Sequence, residues 1–156
     1  MQLEYLTNSA SATKKLGEKT AKKILRDGFQ KKNAVILGLI GNLGGGKTTF
    51  LQGFAKGLGI RERILSPTFI IVKKFRIKKP KFKVLYHIDC YRIQESKEIL
   101  KLNFEKIISD NKNIITIEWA GRIKEILPRK TILARFYFLD KKARKIKISN
   151  LKKTFG

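Results

Sequence analysis

A chain of 156 residues with 42% apolar side chains is long enough for one hydrophobic core and too short for two, and that apolar share excludes wholesale disorder. Thirty-six Lys and Arg against 12 acidic residues give a net charge of +24 and a pI near 10.4, an excess that fits either phosphate binding or a Lys-favouring base composition. A single cysteine, Cys90, excludes an intramolecular disulfide and, with one histidine, His87, leaves too few soft ligands for a zinc-type site.

Residues 1–6 read as a short edge strand. A helix follows, capped by Ser9 or Ser11, with Ala12, Leu16, Thr20, Ala21, Ile24 and Leu25 on one face. Residues 34–40, Ala-Val-Ile-Leu-Gly-Leu-Ile, form a continuous apolar run of the kind a buried parallel strand shows. A glycine-rich stretch leads into a second helix over 47–58, which places Phe50, Leu51, Phe54, Ala55 and Leu58 inward. Residues 68–77 and 82–89 read as two strands of a hairpin around a Lys-Lys-Pro turn. A mostly helical piece spans 95–108, and 113–118 is another short buried strand. Residues 123–127 allow at most a short helix, stopped by Pro128, before a terminal hairpin of 130–138 and 143–149. No linker or repeat divides the chain, so residues 1–156 are expected to form a single α/β domain, a mixed central sheet flanked by helices in the P-loop NTPase-like manner. The longest apolar run is far below the roughly 20 residues that span a bilayer. The N-terminal segment also lacks the apolar region of a signal peptide, so a soluble cytoplasmic protein with no membrane partner is expected.

The chemistry begins at Gly41, Asn42, Leu43, Gly44, Gly45, Gly46, Lys47 and Thr48, which fit G-x-x-x-x-G-K-[ST] between a buried strand and an amphipathic helix. Glycines let the backbone curl so that successive N–H groups point into one concavity and cradle phosphate oxygens. The helix that starts at Lys47 adds the positive end of its dipole. Lys47 is placed to reach the β- and γ-phosphates of ATP, and the Thr48 hydroxyl to ligate Mg²⁺. Carboxylates for the metal and the attacking water are then sought beyond the carboxyl ends of strands. Asp89 ends the run 83–89 and Glu118 ends 114–118. Either acid alone fits a helix cap, but the two together in an acid-poor chain favour chemistry. Their division of labour stays open on these grounds.

Other residues have plainer readings. His87 shares a sheet face with Asp89, yet a packed strand histidine is the commoner case. Cys90 reads as a small buried side chain, and Trp119 fits either core or a wall of the site. The basic run 73–83 straddles a hairpin tip, where solvated Lys is routine. Its Phe75 and Phe82 could stack on bases, but their spacing fits a half-buried strand better. Nine of the basic residues are Arg and 27 are Lys, spread along the whole chain, which favours base composition as the source of the charge.

The segments Gly41-Asn-Leu-Gly-Gly-Gly-Lys-Thr-Thr49, Ser66-Pro-Thr-Phe69, His87-Ile-Asp-Cys-Tyr-Arg92 and Ile117-Glu-Trp119 occur in that order. Together they resemble the TsaE family, the ATPases of bacterial threonylcarbamoyladenosine biosynthesis on tRNA, over nearly the whole chain. The resemblance implies a Mg²⁺-dependent ATPase that acts with TsaB and TsaD on the adenosine beside the anticodon, with tRNA reached through that complex. It implies that Thr48 and Glu118 ligate the metal while Asp89 serves the attacking water. It further places Thr68 in a switch-like loop near the γ-phosphate, Thr49 in the phosphate loop, Trp119 beside the nucleotide, and the segment 10–13 towards the adenine. Two positions depart from the family's habit: Asn42 stands where Asp is usual, and Ala120-Gly121 follows Trp119. Neither removes a residue with an assigned role. Two other classes fit the motifs less well: a small-molecule P-loop kinase, for which no lid-like insertion is evident, and a basic nucleic-acid-binding module with a vestigial P-loop.

Overall fold

Residues 2–42, 46–64 and 72–151 are described by the computed structural model. Seven strands form one sheet: β1 (Gln2–Thr7), β2 (Val35–Ile40), β3 (Val72–Arg76), β4 (Val84–Asp89), β5 (Asn113–Glu118), β6 (Ile132–Phe138) and β7 (Arg144–Ser149). Their order is β1-β7-β6-β2-β5-β4-β3. The inner four run parallel, and the β1–β7, β7–β6 and β4–β3 pairs are antiparallel. This mixed arrangement agrees with the sequence expectation. β2 lies between two parallel neighbours, so both of its faces are covered and its run is apolar without alternation.

One face of the sheet carries α1 (Ala10–Asp27) and α2 (Lys47–Gly57), which bury Leu16, Ile24, Phe50 and Phe54 against Leu37, Leu39, Ile114 and Phe136. Each fully buried Phe or Leu contributes about 1.5–3 kcal/mol relative to exposure, so this layer dominates the fold's stability. Ser9 is the N-cap of α1, its hydroxyl accepting the Ala12 N–H at 3.0 Å. Thr13 and Gly17 are more buried than the expected Ala12 and Leu25, because α1 turns its narrowest side to α2. A Cβ on Gly53 would lie 1.8 Å from the Lys14 carbonyl oxygen, and one on Gly17 would lie 2.0 Å from that of Phe50. The two helices therefore meet backbone to backbone.

The opposite face is covered by α3 (Lys97–Leu100), α4 (Phe104–Ile108) and a 3₁₀ segment, Ala120–Ile126. There Ile99, Phe104 and Ile123 pack on Ile36, Ile88, Ile115 and Ile117. The single helical piece expected over 95–108 is divided, because Asn103 adopts a left-handed conformation (φ 59°) that asparagine tolerates better than most residues. The strand expected over 68–77 is present as Val72–Arg76, and residues 65–71, including Thr68, lie outside the described part. Phe75 and Phe82 are 4% and 1% exposed, so both belong to the core and neither is available to stack on a base.

Candidate functional site

The site lies at the carboxyl edge of the parallel strands, where β2 runs into α2. Gly46 caps α2 in a left-handed conformation (φ 93°) and offers no side-chain acceptor, and the first turn of the helix contains no acid. A positive helix end without an internal anion is the arrangement that receives phosphate. Leu43, Gly44 and Gly45 of the loop lie outside the described residues, while Gly41, Asn42, Gly46, Lys47, Thr48 and Thr49 lie within them. The Lys47 ammonium, on a residue only 6% exposed, donates to the carbonyl oxygens of Gly41 and Asn42 and sits 4.0 Å from the centre of the Trp119 ring. Burial pushes its pKa down, and the carboxylates of Glu118 and Asp89 oppose that shift.

Those two acids are partners in the β4–β5 register, Asp89 opposite Glu118, which brings both expected carboxylates to one strand edge beside Lys47. Asp89 accepts the Tyr91 N–H at 2.9 Å. Burial raises its carboxyl above the ordinary value, and the neighbouring Glu118 adds to the rise. Glu118 is 4% exposed, with its Oε2 3.1 Å from His87 Nε2. His87 Nδ1 lies 3.0 Å from the Thr116 hydroxyl. For a neutral imidazole to bond a carboxylate, the proton must sit on Nε2, and the Thr116 hydroxyl then donates to Nδ1. His87 is thus a packed strand histidine, as read, and also the group that fixes the orientation of Glu118. The sequence showed His87 on the face of Asp89; its bond to Glu118 needed the strand order.

Trp119 adopts φ 58°, a left-handed backbone that costs a non-glycine residue about 1–2 kcal/mol. The strain turns its ring towards Lys47, so Trp119 forms a wall of the site. Tyr91 tilts against it at 5.1 Å, and the Arg122 guanidinium lies 5.6 Å from the same ring. Cys90 is buried and its thiol is pushed up to about 12, which leaves it inert as a nucleophile. Among the described residues, no cluster of three or more His, Cys, Asp or Glu side chains is placed to hold a metal alone.

Beside the loop, Thr13, within the segment 10–13 expected near the nucleotide, is joined by Arg144, which escaped the sequence reading. A Cβ on Gly46 would lie 3.5 Å from Thr13 Cγ2 and 3.6 Å from Arg144 Cγ. Thr13 Oγ1 and Thr7 Oγ1 are 2.7 Å apart, and Thr7 is the strand partner of Arg144. The Arg144 guanidinium lies 4.7 Å from the Phe138 ring, and its buried Nε has no hydrogen-bond partner among the described residues. Arg144 reaches the loop only because β1 pairs with β7, a link no local motif announces.

A glycine-capped phosphate loop at the carboxyl edge of a mixed sheet, with a lysine and two strand-end carboxylates, defines a P-loop domain of the NTPase-like class. The chain belongs to the TsaE family: the family described as "Threonylcarbamoyl adenosine biosynthesis protein TsaE" matches residues 7–146. It is 37% identical over 131 residues to the tRNA threonylcarbamoyladenosine biosynthesis protein TsaE of Bacillus subtilis (strain 168), covering 84% of this chain and 75% of the relative. It is 31% identical over 147 residues to the protein of the same description from Aquifex aeolicus (strain VF5), covering 93% and 94%. The fold is similar to the crystal structure of Bacillus subtilis YdiB, with a TM-score of 0.72 and 28% identity over 99% of this chain and 89% of that one. The chain is thereby placed in a family of tRNA threonylcarbamoyladenosine biosynthesis. No helix among the described residues is long and apolar enough to cross a membrane.

Proposed function

We propose that this protein binds Mg·ATP at the Gly41–Thr48 loop and hydrolyses it as the ATPase component of the tRNA-modifying machinery, acting with TsaB and TsaD in the cytoplasm. The observation that carries this reading is the meeting of Lys47 with two register-paired carboxylates at the uncapped start of α2. The residues fit the missing groups. Lys47 is held by backbone carbonyls that a polyphosphate would replace, and two partly desolvated acids face one another where a cation would relieve them. Thr48 and Glu118 would hold Mg²⁺, with His87 fixing the Glu118 carboxylate. When bound, the ion supplies charge neutralisation to the transferring phosphoryl group. Lys47 would reach the β- and γ-phosphates, and Asp89 would position the attacking water. Thr13 and Arg144 flank Gly46 and would border the nucleoside, the unpaired Arg144 Nε–H offering a donor.

Hydrolysis is expected to be slow for the protein alone. Arg122 is engaged with the Trp119 and Tyr91 rings, and Asp89 and Tyr91 remain partly open to solvent, which weakens electrostatic stabilisation of the transition state. The test is ATP turnover measured alone, then with TsaB–TsaD, then with tRNA added, at low and high salt. Stimulation by the pair that weakens with salt is the expected result. Transfer of the γ-phosphate to a small acceptor in place of water, or fast turnover to which the pair adds nothing, would overturn the reading.

A further inference from the structure

The net charge is not evenly placed. Residues 63–88 contain no Asp or Glu, and within them the β3–β4 hairpin carries Lys73, Lys74, Arg76, Lys78, Lys79, Lys81 and Lys83. All seven are exposed except Lys79, which is half-buried, and none forms an ion pair among the described residues. Two further loops meet the hairpin at the amino ends of the parallel strands. The Lys83 N–H donates to the Lys112 carbonyl at 2.8 Å, and Asn111 Nδ2 donates to the Lys31 carbonyl at 2.9 Å. Lys31, Lys32 and Lys112 are exposed there, with Asp110 as the nearby acid, its carboxylate accepting the Lys112 N–H. Among these cations stands Phe29, 37% exposed, edge-on to the buried Phe82 at 5.9 Å and 5.4 Å from Lys81 Nζ. An open groove of about 760 Å³ runs past Arg76, Lys78, Lys79 and Lys83. The five steps along β4 from Val84 to Asp89, at about 3.3 Å each, separate this pole from Asp89 by about 17 Å.

We infer that this pole, centred on Phe29 and the β3–β4 hairpin tip, is a binding surface for single-stranded RNA, with the lysines on phosphates and the Phe29 ring under a base. An exposed aromatic ringed by flexible ammonium groups is the combination that holds unpaired nucleotides. The choice of RNA over another polyanion rests on the family's place in tRNA modification. The surface lies at the other end of the domain from the phosphate loop, so RNA and nucleotide occupy separate sites on one chain.

The test is fluorescence anisotropy of a fluorescein-labelled RNA hairpin with an unpaired loop, titrated with nucleotide-free protein across salt concentrations. About four neutralised phosphates predict a slope of log affinity against log salt of about −3, since each contributes about −0.7 in a single strand. The triple change Lys78→Ala, Lys81→Ala and Lys83→Ala should weaken binding about tenfold or more and flatten the slope by about 2. Phe29→Leu, which keeps the packing on Phe82, should weaken binding about fivefold and leave the slope unchanged. A control removing the same charge from around α3 and the 3₁₀ segment, Lys97→Ala, Lys101→Ala and Lys124→Ala, should stay within about twofold of wild type. Equal losses in both triple variants would show that diffuse charge alone is responsible and overturn the proposal. So would an absence of RNA binding at low salt, or binding to phosphatidylserine vesicles with none to RNA. ATP affinity is measured on the same variants and should not change. Because the RNA titration contains no nucleotide, it reads out whether or not the ATPase reading holds.

Discussion

His87→Leu isolates the contribution of the buried imidazole. The substitution removes the N–H that lies 3.1 Å from Glu118 and the acceptor 3.0 Å from the Thr116 hydroxyl, while keeping an apolar side chain in a position with 0% exposure. A hydrogen bond to a charged group contributes about 1.5–3 kcal/mol. If that energy fixes Glu118 in the orientation that binds Mg²⁺, its loss raises the half-saturating magnesium concentration about tenfold to a hundredfold, the range found for partners of metal ligands. His87→Gln carries an amide N–H to nearly the place of Nε2 and should recover most of the affinity. The assay is a magnesium titration of ATP hydrolysis, paired with binding of a fluorescent ATP analogue and a thermal melt to establish folding. A folded His87→Leu protein whose magnesium dependence stays within about twofold of wild type would refute the positioning role.

Lys47→Ala should lose most ATP affinity and all measurable hydrolysis while staying folded; near-wild-type binding by calorimetry would count against the assigned phosphate contact. Glu118→Ala should raise the magnesium requirement, whereas Asp89→Asn should retain Mg·ATP binding and lose turnover; full activity in the second variant would reverse the division between them. The raised pKa of Asp89 means that the folded state keeps this proton where the unfolded chain has lost it, so the stability contributed by the group falls as pH rises from 3.8 through the raised value. Asp89→Asn should therefore raise the melting temperature of the nucleotide-free protein at neutral pH, and an unchanged or lower value would contradict the sign. Gly53→Ala places a methyl group 1.8 Å from the Lys14 carbonyl oxygen and forces α1 away from α2. A loss of about 3 kcal/mol, the upper end for overpacking, corresponds to a melting temperature about 6–12 °C lower by calorimetry.

The parts of the site that lie close in sequence were legible. Gly46, Lys47 and Thr48 announce themselves by spacing, and the apolar runs ending at Asp89 and Glu118 mark strand ends because strands packed on both faces tolerate few polar residues before their ends. What connects those runs was not legible. The register of β4 against β5 places Asp89 opposite Glu118 and His87 opposite Thr116, and the pairing of β1 with β7 brings Arg144 to Gly46. These are contacts between distant segments, set by which strands neighbour each other, and no local periodicity carries that information. Gly17 and Gly53 were unreadable for a related reason. A glycine in a helix looks like a weakness until the second helix that needs its missing side chain is in place.

Trp119 is the single tryptophan of the chain, and Lys47 Nζ lies 4.0 Å from the centre of its ring. The intrinsic ultraviolet emission of the protein therefore comes chiefly from one indole, situated at the candidate nucleotide site and in contact with the very ammonium group that a phosphate would draw away. Replacing that neighbour changes the field and the quenching at the ring, so occupancy is readable without a label or a modified nucleotide. The same optical signal separates two events. On the proposed reading, a shift on adding ATP without magnesium would report the lysine leaving the ring, and a further shift on adding the metal would report rearrangement at the adjoining Glu118.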